Sequence, residues 1–424
     1  MRHFILSVCL LIATLAFAQP RQSKIQLLLV PNHSDALYHV NEKASVKVVA
    51  TDCGMALNDI TIDYQVSQDL MSPHISNSIT LSGNEATIEM GTMSQPGFLR
   101  IKATTIVDGK SYSSMATIGF DTHEIKPVTI LPDDFASFWK QQVESARKLP
   151  LSPTMTRLND RCTPEVDVYH ISYANVGGSK MYGMLTMPSA PGKYPAILRL
   201  PGAGVGEKSG DIAHAAQGSI VLEMGIHGIP VNLSPSIYSD LGRSALAAYH
   251  TYNCDNRYSY YYKQVYLGCV RAVDFLLSLP QCNGNVGTHG GSQGGALSVA
   301  VSALHPDVKA SAVYFPALSD MEGYMHNRAG GWPHLLKNQR YQTEAVVTTL
   351  RYFDTANFAQ MLSAPVFYAY GYNDITCAPT TTTAVYNVIK APKTISIGQN
   401  TGHWLYPEQT AKMWQWIIDM LQSK

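Results

Sequence analysis

Charge is scarce in this chain. Asp, Glu, Lys and Arg make up 15% of its 424 residues, and Lys plus Arg balance Asp plus Glu at 31 each. A chain without net charge or a basic block is not built to hold nucleic acid electrostatically, so no nucleic-acid partner is expected. Cysteine is sparse too, at seven residues, while 46% of the chain is hydrophobic. A full core, not a disulfide framework, must therefore stabilise the fold. Beyond the first twenty residues no run approaches the roughly 18 to 20 apolar residues of a spanning helix, so no membrane span is expected. Metal-ligand patterns such as HExxH, paired CxxC or an Asp-rich calcium loop are missing, which leaves a metal-dependent mechanism little support. Gly202-Ala203-Gly204-Val205-Gly206 has the wrong spacing for a dinucleotide fingerprint. No metal and no cofactor are expected.

What is present begins with Arg2, an apolar stretch from Phe4 to Leu15, and Ala16-Phe17-Ala18 before Gln19. That pattern predicts an export leader over residues 1–18 and a mature protein that is periplasmic or extracellular. Its removal takes Arg2 and Cys9, leaving a formal charge of −1 and six cysteines: Cys53, Cys162, Cys254, Cys269, Cys282 and Cys377. An even count permits disulfides, and no pairing is assigned. The remaining length corresponds to two or three domains at roughly 100 to 200 residues each.

Residues 19–123 read as a small immunoglobulin-like β-sandwich. Segments 45–50, 60–66, 86–90, 98–107 and 111–120 alternate apolar with polar residues, and Asp108-Gly109 is a hairpin signal. The module could serve as a rigid spacer or in substrate presentation or assembly. Near residues 123–134 the alternation stops and two prolines mark a boundary. From there residues 124–424 read as α/β, a mostly parallel sheet with helices on both faces. Buried strands are expected at 196–200, 219–224, 286–289, 308–315 and 365–370, and helices at 135–147, 262–277, 294–304 and 408–421. Asp133 or Asp134 is available to cap the first helix.

The sharpest motif is Gly290-Gly291-Ser292-Gln293-Gly294, between a short apolar strand and a small-residue helix. This is the setting of a nucleophile elbow, with Ser292 as nucleophile. A serine hydroxyl needs a histidine base and an acid to orient it, in the chain order serine, acid, histidine. His403 is preferred as base. His305 ends the elbow helix, and His326 and His334 lie in an irregular aromatic segment. Asp374, just past the strand from Pro365, is the preferred acid; Asp354 and Asp320 compete, and Asp354 suits a helix cap. For the oxyanion, the backbone N–H groups of Gln293 and Ala203 are the expected donors. The aromatic string Tyr258 to Tyr262 could line a sugar cleft or pack a core.

Taken in order, the strings DDFASFWK, YYYKQVYLGCVRAVDFL, GGSQGGALSVA, LRYFDTANFA, APVFYAYGYNDITCAPTTTTAVYN and the final GHW resemble the acetyl xylan esterase and cephalosporin C deacetylase family, carbohydrate esterase family 7. The resemblance covers about residue 131 to the carboxyl terminus and implies an α/β-hydrolase fold. It implies Ser292, Asp374 and His403 as the triad and acetyl esters of sugars, such as acetylated oligosaccharides, as substrates, without a cofactor. Three departures stand out: Pro201-Gly202-Ala203 where the family has His-Gly-Tyr, His227-Gly228-Ile229 where it has Arg-Gly-Gln, and His403-Trp404 where it has His-Glu. Family members often form hexamers, so a homo-oligomer is an open expectation that the amino-terminal module could block. The alternatives are a serine hydrolase acting on another carbohydrate ester or a peptide, and an inactive carbohydrate-binding protein.

Overall fold

A computed structural model describes residues 23–422; the expected leader over residues 1–18 lies outside the described residues. The β-rich first part forms two sheets. In one, Ala44–Asp52 pairs antiparallel with Ile25–Pro31, Glu85–Gly91 and Met55–Ala56. The other runs, in spatial order, Leu37–Tyr38, Lys110–Phe120, Gly97–Val107, Thr61–Gln68 and Ile75–Thr80. Ala44, Val46, Val48 and Ala50 are buried while Lys47 between them is exposed, the period-two burial of a half-covered strand. Asp108 and Gly109 turn with φ of 50° and 72°, matching the twist of the hairpin they close.

The second part is built on a nine-stranded sheet. Its spatial order is Thr154–Arg157, Val166–Ala174, Lys180–Pro188, Ile220–Gly225, Tyr194–Leu200, Cys282–Gly291, Val308–Tyr314, Val366–Gly371 and Lys393–Gly398. The last six are parallel, and the first three add an antiparallel edge. Both faces of the parallel strands are covered, so they read as continuous apolar runs. Phe367 and Ala369 face the helix Pro407–Gln422, packing with Trp414, Ile417 and Leu421. Val366, Tyr368 and Tyr370 face the opposite core, with the helices Tyr261–Ser278 and Gln293–Leu304. Each Val, Leu, Ile or Phe buried there contributes about 1.5–3 kcal/mol. That opposite core is continuous with the core of the two-sheet module, since Val46, Ile101 and Phe98 belong to the same cluster as Trp139 and Tyr370.

Tyr194–Leu200 sits between the strand that follows it and the later strand Cys282–Gly291, so the strand order reverses there. Ligands of open α/β sheets bind beyond the carboxyl ends of the strands at such a reversal. Among the described residues no helix is long and apolar enough to cross a membrane. All six described cysteines are free thiols. The helix Phe135–Arg147 begins after Asp134, but the Asp134 carboxylate does not cap it. It is taken instead by Tyr352 Oη and by Arg257 Nη1 at 2.9 Å.

One core histidine has a measurable consequence. His289, on the strand leading to the elbow, is stacked on Trp414 at 4.1 Å between ring centroids, and burial lowers its pKa to about 3. The folded protein holds it neutral, whereas the unfolded chain binds a proton below about pH 6.5. Stability must therefore fall as pH drops from 6.5 toward 3. His289→Phe keeps a ring on Trp414 and removes that proton. Between pH 7 and pH 5 the variant should lose about 2 kcal/mol less stability than the parent. Urea unfolding at both pH values checks this, and parallel losses in the two proteins would contradict it.

Candidate active site

The elbow forms where Cys282–Gly291 runs into Gln293–Leu304. Ser292 occupies the turn with φ 57° and ψ −126°, a conformation costly for a residue with a Cβ. The motif glycines serve close approach. A Cβ on Gly290 would lie 2.4 Å from the carbonyl oxygen of Gly294, and one on Gly294 would lie 2.2 Å from that of Leu200. The turn is pinned from both sides: Ser292 N–H donates to the Tyr314 carbonyl at 3.1 Å, and Ala317 N–H donates to the Ser292 carbonyl at 2.9 Å.

Two strands further along the sheet, Asp374 follows Val366–Gly371 and is fully buried. One carboxylate oxygen accepts the N–H groups of Thr376 and Cys377 at 2.7 and 2.9 Å. The other lies 2.7 Å from Nδ1 of His403. With the carboxylate as acceptor, Nδ1 carries the proton and Nε2 is left as the basic nitrogen. The His403 ring is partly exposed and rests 4.3 Å from the Phe315 ring, centroid to centroid, on the segment that pins Ser292. The buried Cys377 thiol interacts with the Ser292 side chain, and burial pushes its pKa well up. Asp374 thus holds His403, and the His403 ring contacts Phe315 in the segment that pins the partly exposed Ser292.

The loop from Pro201 to Gly204 leaves the sheet beside the elbow, because Leu200 pairs with Gly290. Gln293 does more than offer its N–H. Its buried amide donates to the carbonyls of Pro201 and Gly202 at 3.4 and 3.2 Å and accepts from Tyr249 Oη at 2.6 Å and Tyr262 Oη at 2.8 Å. On the other side of Ala203, His227 Nε2 donates to the Gly204 carbonyl at 2.9 Å, while Nδ1 accepts from Tyr261 Oη at 2.6 Å. Burial lowers the pKa of His227, which favours the neutral ring that this bonding requires. Ala203 is therefore carried on a loop tied down on both flanks, and it is exposed. Network position, not spacing, gives Tyr249, Tyr261, Tyr262 and His227 their place here. The signals in the sequence were His227-Gly228-Ile229, as a departure from the family pattern, and the aromatic string that contains Tyr261 and Tyr262. Of the aromatic string, Tyr260 and Tyr262 are buried, while Tyr258 is exposed.

The competitors are engaged elsewhere. His305 bonds Asp274 at 3.0 Å. His334 Nδ1 lies 3.0 Å from the Gly330 carbonyl, and His326 ends a short 3₁₀ turn. Asp354 caps the helix Thr355–Ala359 and also accepts from the N–H groups of Asp320 and Met321; burial and the neighbouring Asp320 push its pKa up to about 8. Asp320 accepts from Val128 and Thr129 N–H and pairs with Arg328.

Residues 115–420 match the family described as acetyl xylan esterase (AXE1). The acetyl esterase Axe7A of Xylanibacter ruminicola is 39% identical over 409 residues, spanning 95% of this chain and 92% of that protein. Among solved structures, an acetyl xylan esterase from Paenibacillus sp. R4 superposes with a TM-score of 0.61 at 28% identity, covering 70% of this chain and 97% of its own. Acetyl xylan esterase 1 from Thermoanaerobacterium sp. JW/SL YS485 gives 0.59 at 22% identity, with the same coverage, and supports the fold. The fold is of the α/β-hydrolase type, and the chain belongs to the acetyl xylan esterase family of carboxylic ester hydrolases.

Proposed function

We propose that the protein is an exported serine esterase that removes acetyl groups from acetylated xylan or related oligosaccharides, through Ser292, His403 and Asp374. The observation that carries this reading is the 2.7 Å contact between Asp374 and His403 beside a serine held in elbow geometry. Ser292 Oγ attacks the acetyl carbonyl while His403 Nε2 takes its proton, and Asp374 holds the resulting imidazolium. The negative oxygen of the tetrahedral intermediate is received by the N–H groups of Gln293 and Ala203. As the intermediate collapses, His403 returns the proton to the departing sugar oxygen. Water then attacks the acetyl-enzyme with His403 again as base, releasing acetate and restoring the serine. None of these steps calls for a cofactor.

Export is read from the leader at residues 1–18, and domain boundaries are placed near residue 123, with an immunoglobulin-like sandwich before it and the esterase domain after it. The residues after His403 favour a sugar substrate. Trp404 follows the base directly and is half exposed, with Tyr406 edge-on at 5.1 Å. An uncovered indole beside a reacting centre offers a flat apolar face to a sugar ring.

Ser292→Ala should retain its fold, and its turnover of an aryl acetate should fall by about 10⁴-fold or more. Residual turnover near the parent value would refute the proposed nucleophile. Trp404→Ala should raise KM for an acetylated xylo-oligosaccharide roughly tenfold, from about 1–1.5 kcal/mol of lost stacking, while aryl acetate hydrolysis changes little. Equal effects on both substrates would argue against a sugar platform. Comparing acetyl, butyryl and feruloyl esters with a peptide amide defines the acyl pocket; faster turnover of any of the others than of acetyl would displace acetate as the preferred leaving acid.

A further inference from the structure

The loop that carries Asp374 is held by the amino-terminal two-sheet module. Arg100, on the strand Gly97–Val107, is buried, and its Nη2 donates to the backbone carbonyls of Tyr372 and Asp374 at 3.2 and 2.9 Å. Its Nε donates to Thr117 Oγ1 on the neighbouring strand at 3.0 Å. The same guanidinium lies 2.8 Å from Asp69 Oδ1. The second oxygen of Asp69 accepts both the N–H and the hydroxyl of Thr380, at 3.1 and 2.9 Å. Between these anchors Asn373 Nδ2 donates to the Met115 carbonyl at 3.2 Å, and the Tyr372 ring meets Phe98 edge-on at 5.2 Å.

We infer that Arg100 and Asp69 are positioning residues for the hydrolytic reaction, acting across the two parts of the chain to fix the Asp374 loop. This rests on the proposed Ser292–His403–Asp374 triad. The pair grips the segment 372–380 at both ends, and that segment contains the carboxylate and the two amides, of Thr376 and Cys377, that bind it. Arg100 meets Asp374 at its backbone carbonyl, so the contact bears on where the residue sits. A side chain that must meet an imidazole at 2.7 Å tolerates little displacement, since about 1 Å of error at a reacting group can cost on the order of 100-fold. Nη2 makes both carbonyl contacts while Nε holds Thr117, and a lysine ammonium cannot reproduce this planar donor set.

The test is a double-mutant cycle on an aryl acetate, using the full chain. Arg100→Met should lower kcat about 10- to 100-fold with KM within about threefold of the parent. Arg100→Lys should fall between the two. In an Asp374→Ala background, Arg100→Met should change kcat by less than about twofold, because the side chain it positions is gone. A role confined to stability would give the same loss in both backgrounds. If Arg100→Met alone fails to fold around an orphaned Asp69, then Arg100→Met with Asp69→Asn removes both charges while keeping an acceptor for Thr380. Parent-like kcat in the folded variant, or equal loss in the two backgrounds, would overturn the inference. Parent-like activity in Ser292→Ala or Asp374→Ala would instead overturn the triad itself. Loss in those variants with parent-like Arg100→Met would leave the triad standing and remove only the role of the pair.

Discussion

The site depends on the register of the parallel strands. Leu200 sits opposite Gly290, Gly291 opposite Tyr314, Tyr314 opposite Ala369, and Gly371 opposite Gly398. Strands aligned in this way end at one level, so the loops carrying Ala203, Ser292, Phe315, Asp374 and His403 all leave the sheet at the same rim. A shift of one residue in any pair would turn its side chains to the other face, and the alternation of Phe367 and Ala369 against Tyr368 and Tyr370 forbids that. Core packing on two faces therefore fixes the placement of groups that never touch the core.

Around that rim, polar groups brace a loop whose own residues, Pro201-Gly202-Ala203, are too small to brace it by themselves. The bracing comes from the Gln293 amide and from Tyr249, Tyr261, Tyr262 and His227. Each polar atom in this set has a partner, as a low-dielectric interior demands. The neutral His227 fits the same logic, since burial and the neighbouring Lys208 both disfavour a charged ring there.

Local chemistry was readable in the sequence, and long-range pairing was not. The helix Phe135–Arg147 follows from the spacing of Phe135, Phe138, Trp139 and Val143, and the elbow from the order strand, glycine, serine, glycine, helix. Asp374 and His403 were legible because each follows an apolar strand by a few residues. The antiparallel edge of Thr154–Arg157, Val166–Ala174 and Lys180–Pro188 was passed over, as were Ile25–Pro31 and Ile75–Thr80. Ile75–Thr80 has no buried residue, and Thr154–Arg157 is exposed throughout, so neither shows the alternation that marks a strand. Asp134 looked like a cap by position, yet Arg257 and Tyr352, distant in sequence, claim its carboxylate. Arg100 and Asp69 carry no signal of their own; an arginine in an alternating strand reads as a solvent-facing residue until its partner surface is known.

That partner surface is what joins the two parts of the chain. A module tied on by a flexible linker would keep its own core, but here Phe98 and Tyr372 share one cluster and a buried ion pair crosses the same contact. Burying Asp69 and Arg100 has a desolvation cost that their mutual attraction offsets only when the remaining hydrogen-bonding groups are well placed. Thr117, Thr380 and two backbone carbonyls supply most of those partners, while Arg100 Nη1 is left without a hydrogen-bond partner. An apolar contact would hold the module as firmly with less demand on geometry. It could not, however, fix the direction of the carbonyls at Tyr372 and Asp374, because dispersion contacts are not directional. A paired guanidinium is directional, and it acts on the peptide that sets where the Asp374 carboxylate points.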